Sequence, residues 1–288
     1  MNILVTGGAG FIGSNLIYEL KKLYENVNII SVDNYTSGKV ENHIEGVKYI
    51  KGNTWDIKFI EEIQNFNPKY VFHFGEFSRI VLSFEKPNET FRSNTFGTQQ
   101  ILQYCIEKNS KLIYSGSSAI FGNKMKDQNL NPYAWTKSKN IELIHNYKDW
   151  FGLNFAICYF YNVFGPNQIS TGPYSTVIGI FEDQYKNNKP LTIVKPGTQK
   201  RCFTHIKDII DGIILVAEKG SGDEYFLGTK ENISIIDIAH MFNWSYIFID
   251  KRKGERETST LIKSKIDELG WNPNYNIKDY IKKIITKT

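Results

Sequence analysis

Residues 2–13 read Asn-Ile-Leu-Val-Thr-Gly-Gly-Ala-Gly-Phe-Ile-Gly, and they give the clearest indication of the fold. The apolar run before the glycines predicts a buried strand over 2–6, and apolar residues at helical spacing follow over 12–24. A signal peptide would carry a basic segment ahead of a longer apolar run. Because this run leads straight into glycines, we expect a first strand rather than a leader.

The glycine-rich turn has the arrangement of a dinucleotide-binding motif. Gly7 would make the tight turn, Gly10 would let a pyrophosphate approach the main chain, and Gly13 would let the helix pack on the strand. The first N–H groups of the helix, at Phe11 and Ile12, would face the phosphates. A glycine-rich turn alone is also compatible with a plain turn.

Strand-like and helix-like segments alternate up to about residue 165. Further strands are predicted at 27–33, 47–51, 69–74, 111–115 and 154–161, and helices at 57–65, 88–108 and 132–151. Strands that alternate with helices predict an α/β fold with a doubly wound parallel sheet.

Beyond residue 165 the pattern is looser. Short strands are predicted near 191–194 and 224–227, helices at 234–242 and 277–286, and a charged loop at 250–258. We therefore expect a main domain over 1–165. A smaller α/β lobe over 166–288 would send some segments back to the main domain.

Composition excludes several classes of protein. In the 288 residues, 41% are hydrophobic and 23% are charged, which excludes a disordered chain. The cysteines Cys105, Cys158 and Cys202 are far apart in sequence, so neither a disulfide framework nor a metal site is expected. No apolar run approaches the roughly 18 residues that span a membrane. A cytoplasmic protein without a membrane partner is the expectation.

The formal net charge of +5 is mildly basic. Nucleic acid and an anionic small molecule are the two partners that such a charge suggests. The basic residues are scattered rather than gathered in a tail or stripe. We therefore expect no nucleic-acid partner.

Asp33 ends the second predicted strand, 20 residues after Gly13. A carboxylate there would bind the ribose hydroxyls of NAD and repel the 2′-phosphate of NADP. NAD is therefore the expected cofactor. The alternative is that Asp33 only starts a turn with Asn34.

Three further side chains suggest proton transfer. Tyr133 and Lys137 open the helix 132–151 at a spacing that puts both on one face. A Lys ammonium beside a phenol stabilises the phenolate, which can act as a general base. The hydroxyls of 115–118 follow a strand and would reach the crevice of a parallel sheet. Taken singly, these patterns are equally typical of a packed aromatic, a solvated lysine and a polar turn.

In this order and in these contexts, the three patterns resemble the extended short-chain dehydrogenase/reductase family. Within it they resemble the nucleotide-sugar epimerase/dehydratase branch, of the UDP-glucose 4-epimerase kind. The resemblance implies a Rossmann-type domain that binds NAD and a lobe that binds a nucleotide-diphosphate sugar. Aligned on Gly122, the catalytic hydroxyl of the family falls on Ser117, and its Tyr-x-x-x-Lys falls on Tyr133 and Lys137.

The same resemblance assigns the other binding residues, through motifs such as His73-Phe74-Gly75 and Tyr161-Asn162-Val163-Phe164-Gly165-Pro166. Implied cofactor contacts are Gly7, Gly10, Phe11, Ile12, Gly13, Asp33, Asn34, Ser37, Gly38, Asn53, Thr54, Phe74, Gly75, Asn94, Tyr133 and Lys137. Implied substrate contacts are Ser78, Ser117, Ser118, Asn162, Arg201 and Arg252, the two arginines for the diphosphate.

The sequence departs from the family pattern at three places. Asn53 replaces an Asp, although its amide can still hydrogen-bond adenine. Cys202 replaces the Asp after Arg201, which puts the packing of that loop in question. Glu76-Phe77-Ser78-Arg79 follows Gly75 where the family often carries small residues before its Ser. The side chains of Glu76 and Arg79 could pair with each other or line the sugar pocket.

The resemblance also bears on the reaction. The dehydratases of the family carry Asp-Glu where this chain has Ser118-Ala119, and the decarboxylases carry Glu at the position of Ala119. Alanine there resembles the 4-epimerases, so an NAD-dependent 4-epimerase acting on a UDP-hexose is implied. The alternatives are a 4-dehydrogenase, 4-keto reductase or dehydratase and, more remotely, a non-catalytic NAD sensor.

The nucleotide base and the sugar are not readable from the sequence. The resemblance implies a homodimer in which helices 88–108 and 132–151 pack against their symmetry mates as a four-helix bundle.

Overall fold

The computed structural model describes residues 1–121, 127–251 and 263–287. A seven-stranded parallel sheet is the central element, with strand order β11-β6-β5-β4-β1-β2-β3. Its strands are β1 (Asn2–Thr6), β2 (Asn28–Asp33), β3 (Lys48–Lys51), β4 (Tyr70–His73), β5 (Lys111–Ser117), β6 (Phe155–Phe160) and β11 (Gly222–Leu227). The predicted α/β class with a doubly wound sheet is confirmed.

Helices cover the sheet and build the lobe. They are α1 (Phe11–Leu23), α2 (Glu61–Gln64), α3 (Ile80–Glu85), α4 (Pro87–Phe91), α5 (Gly97–Glu107), α6 (Pro132–Phe151), α7 (Val177–Lys186), α8 (Ile206–Lys219), α9 (Ile235–Met241) and α10 (Ile277–Lys287). Short 3₁₀ segments lie at Val40–Asn42, Thr54–Phe59, Ser118–Ile120, Asp127–Asn129 and Lys265–Leu269, and a π turn lies at Arg92–Phe96.

Three small two-stranded sheets follow the main one. Their strands are β7 (Val163–Phe164), β8 (Leu191–Val194), β9 (Lys200–Cys202), β10 (Thr204–His205), β12 (Asn232–Ser234) and β13 (Tyr246–Ile249). Strand β7 pairs with β10 and β8 with β13 in parallel, whereas β9 pairs with β12 in antiparallel.

Both faces of the main sheet are buried, as the continuous apolar character of its strands requires. On β1, Ile3 and Val5 pack in one cluster with Leu16 and Ile17 of α1, while Leu4 packs in the cluster on the opposite face. All five of these side chains are fully buried. Each contributes roughly 1.5–3 kcal/mol to folding through burial.

A third cluster forms the core of the lobe. It includes Phe164, Phe181, Ile193, Phe242 and Ile281. Strand β11 and helix α8 follow residue 165 in sequence but pack with the main sheet. The predicted division near residue 165 stays a prediction.

The direction of winding reverses between β1 and β4. Thr6 at the end of β1 lies beside His73 at the end of β4, and Asp33 ends β2 at the same edge. Crevices beyond the carboxyl ends of strands at such a reversal are where open α/β sheets bind ligands. This edge is where the predicted site residues converge.

The helix predicted at 132–151 is confirmed as α6, and local sequence explains both of its ends. Asn131 caps it by accepting from the N–H of Ala134 at 2.8 Å, and Pro132 takes the first turn. Gly152 ends it at φ +72°, which favours glycine.

The helix predicted at 88–108 is confirmed in its extent, because α4, the π turn Arg92–Phe96 and α5 follow one another with helical backbone angles at their junctions. Within the π turn, Asn94 is hydrogen-bonded to the main chain of Phe77. Another predicted helix was wrong in detail. The segment predicted as a helix at 57–65 is the 3₁₀ turn Thr54–Phe59 followed by the one-turn helix α2.

Two helices of the second half, α7 and α8, were not predicted at all. Thr176 caps α7 by accepting from the N–H of Gly179 at 3.1 Å. None of the helices in the described ranges combines the length and the apolar character needed to cross a membrane.

Candidate active site

A cavity of about 1020 Å³ opens along the carboxyl edge of the sheet and extends to the lobe. It brings together residues from both halves of the chain. The predicted site residues that line it are Gly7, Gly10, Phe11, Ile12, Gly13, Asp33, Asn34, Ser37, Asn53, Thr54, Phe74, Gly75, Ser78, Ser117, Ser118, Tyr133, Lys137, Asn162 and Arg201. Gly38 and Asn94 do not line it, and Arg252 lies outside the described residues.

The glycine turn between β1 and α1 has no room for side chains. Gly7 has φ +74°, and a Cβ on it would lie 2.8 Å from the main chain of Phe74. A Cβ on Gly13 would lie 2.2 Å from the carbonyl oxygen of Gly7. Helix geometry leaves the first N–H groups of α1 without partners inside the helix. The turn therefore fits the pyrophosphate of a dinucleotide.

Asp33 stands beside this turn with its carboxylate buried. It accepts from the N–H of Ala9 at 2.9 Å and from the N–H of Tyr35 at 2.8 Å. Burial raises the pKa of Asp33, and these main-chain hydrogen bonds lower it in part. A Cβ on Gly38 would lie 2.8 Å from the Asp33 carboxylate, so Gly38 packs on Asp33 rather than lining the cavity.

Asn53 stands where the family that the sequence resembles usually has a carboxylate. Its side-chain amide forms hydrogen bonds through both its oxygen and its nitrogen. Its Oδ1 accepts from Asn34 at 3.2 Å, and its Nδ2 donates to Asp56 at 3.1 Å. These hydrogen bonds orient the side chains of Asn34 and Asn53 on the cavity wall near Asp33. The side chains present in this part of the cavity fit the adenosine half of NAD.

The three predicted catalytic residues lie on one wall. Ser117 ends β5, and its Oγ accepts from the N–H of Ala119 at 3.2 Å. Tyr133 and Lys137 lie one turn apart at the start of α6. The N–H of Tyr133 donates to Ser83 Oγ at 3.3 Å, which ties this turn of α6 to α3.

Lys137 forms an ion pair with Glu76, a residue whose role could not be assigned from the sequence. Its ammonium donates to a carboxylate oxygen of Glu76, to the carbonyl of Ser115 and to Ser115 Oγ. The Lys137 side chain is 4% exposed and that of Glu76 is 2% exposed. Glu76 thus pairs with Lys137 and not with Arg79, while both Glu76 and Arg79 line the cavity.

Glu76 is held by hydroxyl and amide donors as well. Its Oε1 accepts from Tyr114 at 2.9 Å, from Asn140 at 2.9 Å and from Thr98 at 3.2 Å. An ionised carboxylate can accept this many hydrogen bonds. Sequence reasoning missed Asn140, although it lies three residues after Lys137 and so shares its helical face.

A hydrogen-bonded chain continues from Glu76 into the sheet. Thr98 Oγ1 lies 3.0 Å from Nε2 of His73, and Nδ1 of His73 lies 2.7 Å from Thr6 Oγ1. Thr6 Oγ1 in turn accepts from the N–H of Gly75 at 3.1 Å. Burial lowers the pKa of His73 to about 4, so the ring is neutral at pH 7. This series of hydrogen bonds holds Gly75 in place at the cavity wall.

Asn94 lies behind the wall. Its Oδ1 accepts from the N–H of Phe77 at 2.6 Å, and its Nδ2 donates to the Phe77 carbonyl at 3.0 Å and to Thr136 at 3.1 Å. Its implied contact with the cofactor stays a prediction. The contacts observed make it a support for Phe77 and for the start of α6.

Arg201 enters the cavity from β9 and is buried. The neighbouring Cys202 is fully buried, and its Sγ lies 3.2 Å from Asn232 Oδ1 on β12. Asn162 donates to the Cys202 carbonyl at 3.1 Å. Cys202 therefore packs β9 against β12 and Asn162, and this packing holds Arg201 at the cavity.

Asp208 has a structural place on α8. Its carboxylate accepts from the N–H groups of Asn274 at 2.8 Å and Tyr275 at 3.0 Å. It thereby anchors the segment before α10. Within the three described ranges, His, Cys, Asp and Glu form no cluster of three or more that could hold a metal ion.

Comparisons with known proteins agree with this geometry. A family model described as "NAD dependent epimerase/dehydratase family" matches residues 3–228. The chain is 29% identical over 300 residues to a putative UDP-glucose 4-epimerase of Methanocaldococcus jannaschii, with 98% of this chain and 97% of that protein covered.

Another relative and a solved structure extend the comparison. A dTDP-D-glucose 4,6-dehydratase of Bos taurus is 27% identical over 314 residues, with 98% of this chain and 87% of that protein covered. The structure of a Thermotoga maritima UDP-glucose 4-epimerase with UDP-glucose matches with a TM-score of 0.92 at 26% identity, covering 99% and 98% of the two chains. The matches span nearly the whole chain and include two different reactions.

Proposed function

Because the chain belongs to the NAD dependent epimerase/dehydratase family, we propose that it is a nucleotide-sugar 4-epimerase acting on a UDP-hexose. The observation that carries the proposal is the set of side chains that line the cavity. Ser117, Tyr133 and Lys137 line the same cavity as the glycine turn that fits a pyrophosphate. This arrangement supports oxidation of a sugar hydroxyl.

The residues have separate tasks in this proposal. Bound NAD would supply the hydride acceptor and donor for C4 of the sugar. Tyr133 takes the proton of the C4 hydroxyl as a general base, and Ser117 hydrogen-bonds the same oxygen. Lys137 places its ammonium on the wall that holds Tyr133, and Glu76 fixes the position of Lys137. Arg201 and Arg252 bind the diphosphate.

The residues at positions 118 and 119 favour epimerisation over dehydration. Elimination of water from a keto-sugar needs an added acid and base, and Ser118 and Ala119 supply neither. Of the carboxylates that line the described part of the cavity, Glu76 is paired with Lys137 and Asp33 is bound to main-chain N–H groups. Glu85 and Glu89 lie exposed on α3 and α4.

The test is proton NMR of the anomeric region. The purified protein is incubated with UDP-, GDP- and dTDP-hexoses without added cofactor. We expect a new epimer signal from one sugar, which also identifies the base. A keto-sugar formed without added cofactor would instead indicate a dehydratase, the reaction named for the Bos taurus relative. A keto-sugar that forms only when NAD⁺ is added would indicate a dehydrogenase, and either result would overturn the proposal.

We also propose a homodimer through α4, α5 and α6. Large aromatic side chains on these helices and the turn between them are exposed, with Phe91 40% exposed, Phe96 49% exposed and Trp150 61% exposed. A second copy of the chain packed on these helices would bury them. Light scattering after size exclusion should give twice the chain mass of 33.3 kDa, whereas a monomer would contradict the proposal.

A further inference from the structure

Arg79 is a cation in the cavity whose nearest partners are main-chain carbonyls. Its Nη1 donates to the carbonyl of Ser78 at 3.3 Å, and its Nη2 donates to the carbonyl of Tyr174. Its Nε is buried and has no hydrogen-bond partner in the described part of the chain. A buried donor without an acceptor is uncommon in native proteins. The protein alone therefore does not use the full hydrogen-bonding capacity of this guanidinium.

The charge of Arg79 is not balanced by a nearby acid. No carboxylate of the described residues lies within ion-pair distance of its guanidinium. Glu76 is paired with Lys137, and Glu89, exposed on α4, is paired with Lys86 at 3.3 Å. Arg79 is thus a cavity-lining cation that has no ion-pair partner among the described residues.

The other cations that line the described part of the cavity have other roles. They are Lys137, which is paired with Glu76, and Arg201, which comes from β9 and is expected to bind the diphosphate. Arg79 immediately precedes α3, and Ser83 of α3 accepts at Oγ from the N–H of Tyr133 at 3.3 Å. Arg79 thus lies on the segment that packs against the start of α6, where Tyr133 would meet the reacting end of the sugar.

We propose that Arg79 binds a carboxylate on the hexose, so that the substrate is a nucleotide-linked acidic sugar. The planar guanidinium matches a carboxylate with two parallel hydrogen bonds, and such charged pairs are strong in an enclosed site. This inference rests on the proposed function. It narrows the substrate from hexoses in general to hexoses that carry an acid group.

Two other uses of Arg79 make different predictions. It could hold the loop that carries Tyr174 over the cavity, or it could bind the diphosphate together with Arg201. Both uses would affect neutral and acidic sugars equally. A matched pair of ligands that differ only at C6 separates these uses from the proposal.

The experiment measures the dissociation constants of UDP-glucuronate and UDP-glucose by calorimetry on the NAD-loaded protein. Wild-type protein should bind UDP-glucuronate at least 10-fold more tightly. Arg79→Met should reduce that ratio roughly 10- to 100-fold, and Arg79→Lys should reduce it less. Lys189→Met removes an exposed positive charge outside the cavity and should leave the ratio unchanged.

Binding is measured apart from turnover, so the two proposals fail separately. Equal affinity for the two sugars, a preference for UDP-glucose, or no binding of either sugar by wild-type protein would overturn the role of Arg79. An equal loss for both sugars in Arg79→Met would do the same. If the acid preference is found and Arg79→Met reduces it but no epimer forms, Arg79 keeps its role and the proposed reaction is wrong. If Arg79→Met does not fold, Arg79→Lys supplies the comparison, and a ratio unchanged from wild type in that variant would overturn the role of Arg79.

Discussion

The carboxylate of Glu76 forms a buried ion pair with the ammonium of Lys137, across 61 residues of sequence. The pair sets the charge of the wall on which Tyr133 lies. A buried ion pair costs desolvation free energy, and removing one partner strands the other charge. The pair therefore holds Lys137 in position, and the loss of either partner is expected to destabilise the folded protein.

The first prediction concerns the stability of this pair. Glu76→Leu should lower the free energy of unfolding by about 3–5 kcal/mol, because Lys137 is left buried without a counter-charge. Glu76→Leu combined with Lys137→Met should lose less than Glu76→Leu alone, since no charge remains. Urea denaturation measures both values. Additive losses in the double variant would show that the two charges are not coupled.

The second prediction concerns proton transfer. Tyr133→Phe should reduce turnover by at least about 100-fold, because the general base is lost, while the NAD content of the purified protein stays the same. Tyr174→Phe removes another phenol from the same cavity and should change turnover only a few-fold. Near-normal turnover in Tyr133→Phe would refute the assignment.

The third prediction concerns pH. Burial lowers the pKa of His73 to about 4, below the 6.5 of an exposed histidine, so the unfolded chain binds more protons between these values. Stability from this group is therefore complete above pH 6.5 and is lost as the pH falls towards 4. The whole window corresponds to about 3 kcal/mol.

The variant His73→Gln isolates this effect. Its free energy of unfolding should fall less between pH 7 and pH 4.5 than that of wild-type protein, as measured by urea denaturation at both values. His205, whose pKa burial also lowers to about 4, remains in both proteins and cancels in the comparison. Identical pH dependence in the two proteins would show that His73 is not held neutral by the fold.

The fourth prediction separates the two functions of the glycine turn. A Cβ on Gly10 would lie 3.2 Å from the Gly7 carbonyl, against 2.2 Å for a Cβ on Gly13. Gly10→Ala should fold with a loss of less than about 1 kcal/mol but bind NAD at least 10-fold more weakly, because the methyl group occupies the approach of the pyrophosphate. Gly13→Ala should lose stability as well. Thermal melting and NAD titration of both variants test this, and unchanged NAD affinity in Gly10→Ala would contradict it.

Local sequence predicted the features that local interactions determine. Strand β1 and the glycine turn follow from residues 2–13. The ends of α6 follow from Asn131, Pro132 and Gly152, which act within one helical turn. Helix α8 carries buried Ile206, Ile209, Ile210 and Ile213 at helical spacing, so its sequence held a usable signal.

Features set by distant contacts could not be predicted from sequence. The π turn Arg92–Phe96 within the predicted helix coincides with contacts between Asn94 and Phe77, and no pattern within 88–108 indicates it. Glu76 had Arg79 as its nearest cation in sequence, yet the sheet brings it to Lys137. The resemblance to a family assigned the candidate site residues. It did not indicate the pair of Glu76 with Lys137, because the family often has a small residue at the position of Glu76.

In the proposed reaction, the hydride removed from C4 of the sugar returns to C4. The measurement that tests this step uses the reactive nucleotide sugar labelled with deuterium at C4, incubated with the protein without added cofactor. Proton NMR of the product should show an epimer that keeps the deuterium at C4. Protium at C4 of the epimer, or label in a keto-sugar or in free reduced cofactor, would rule out this reaction.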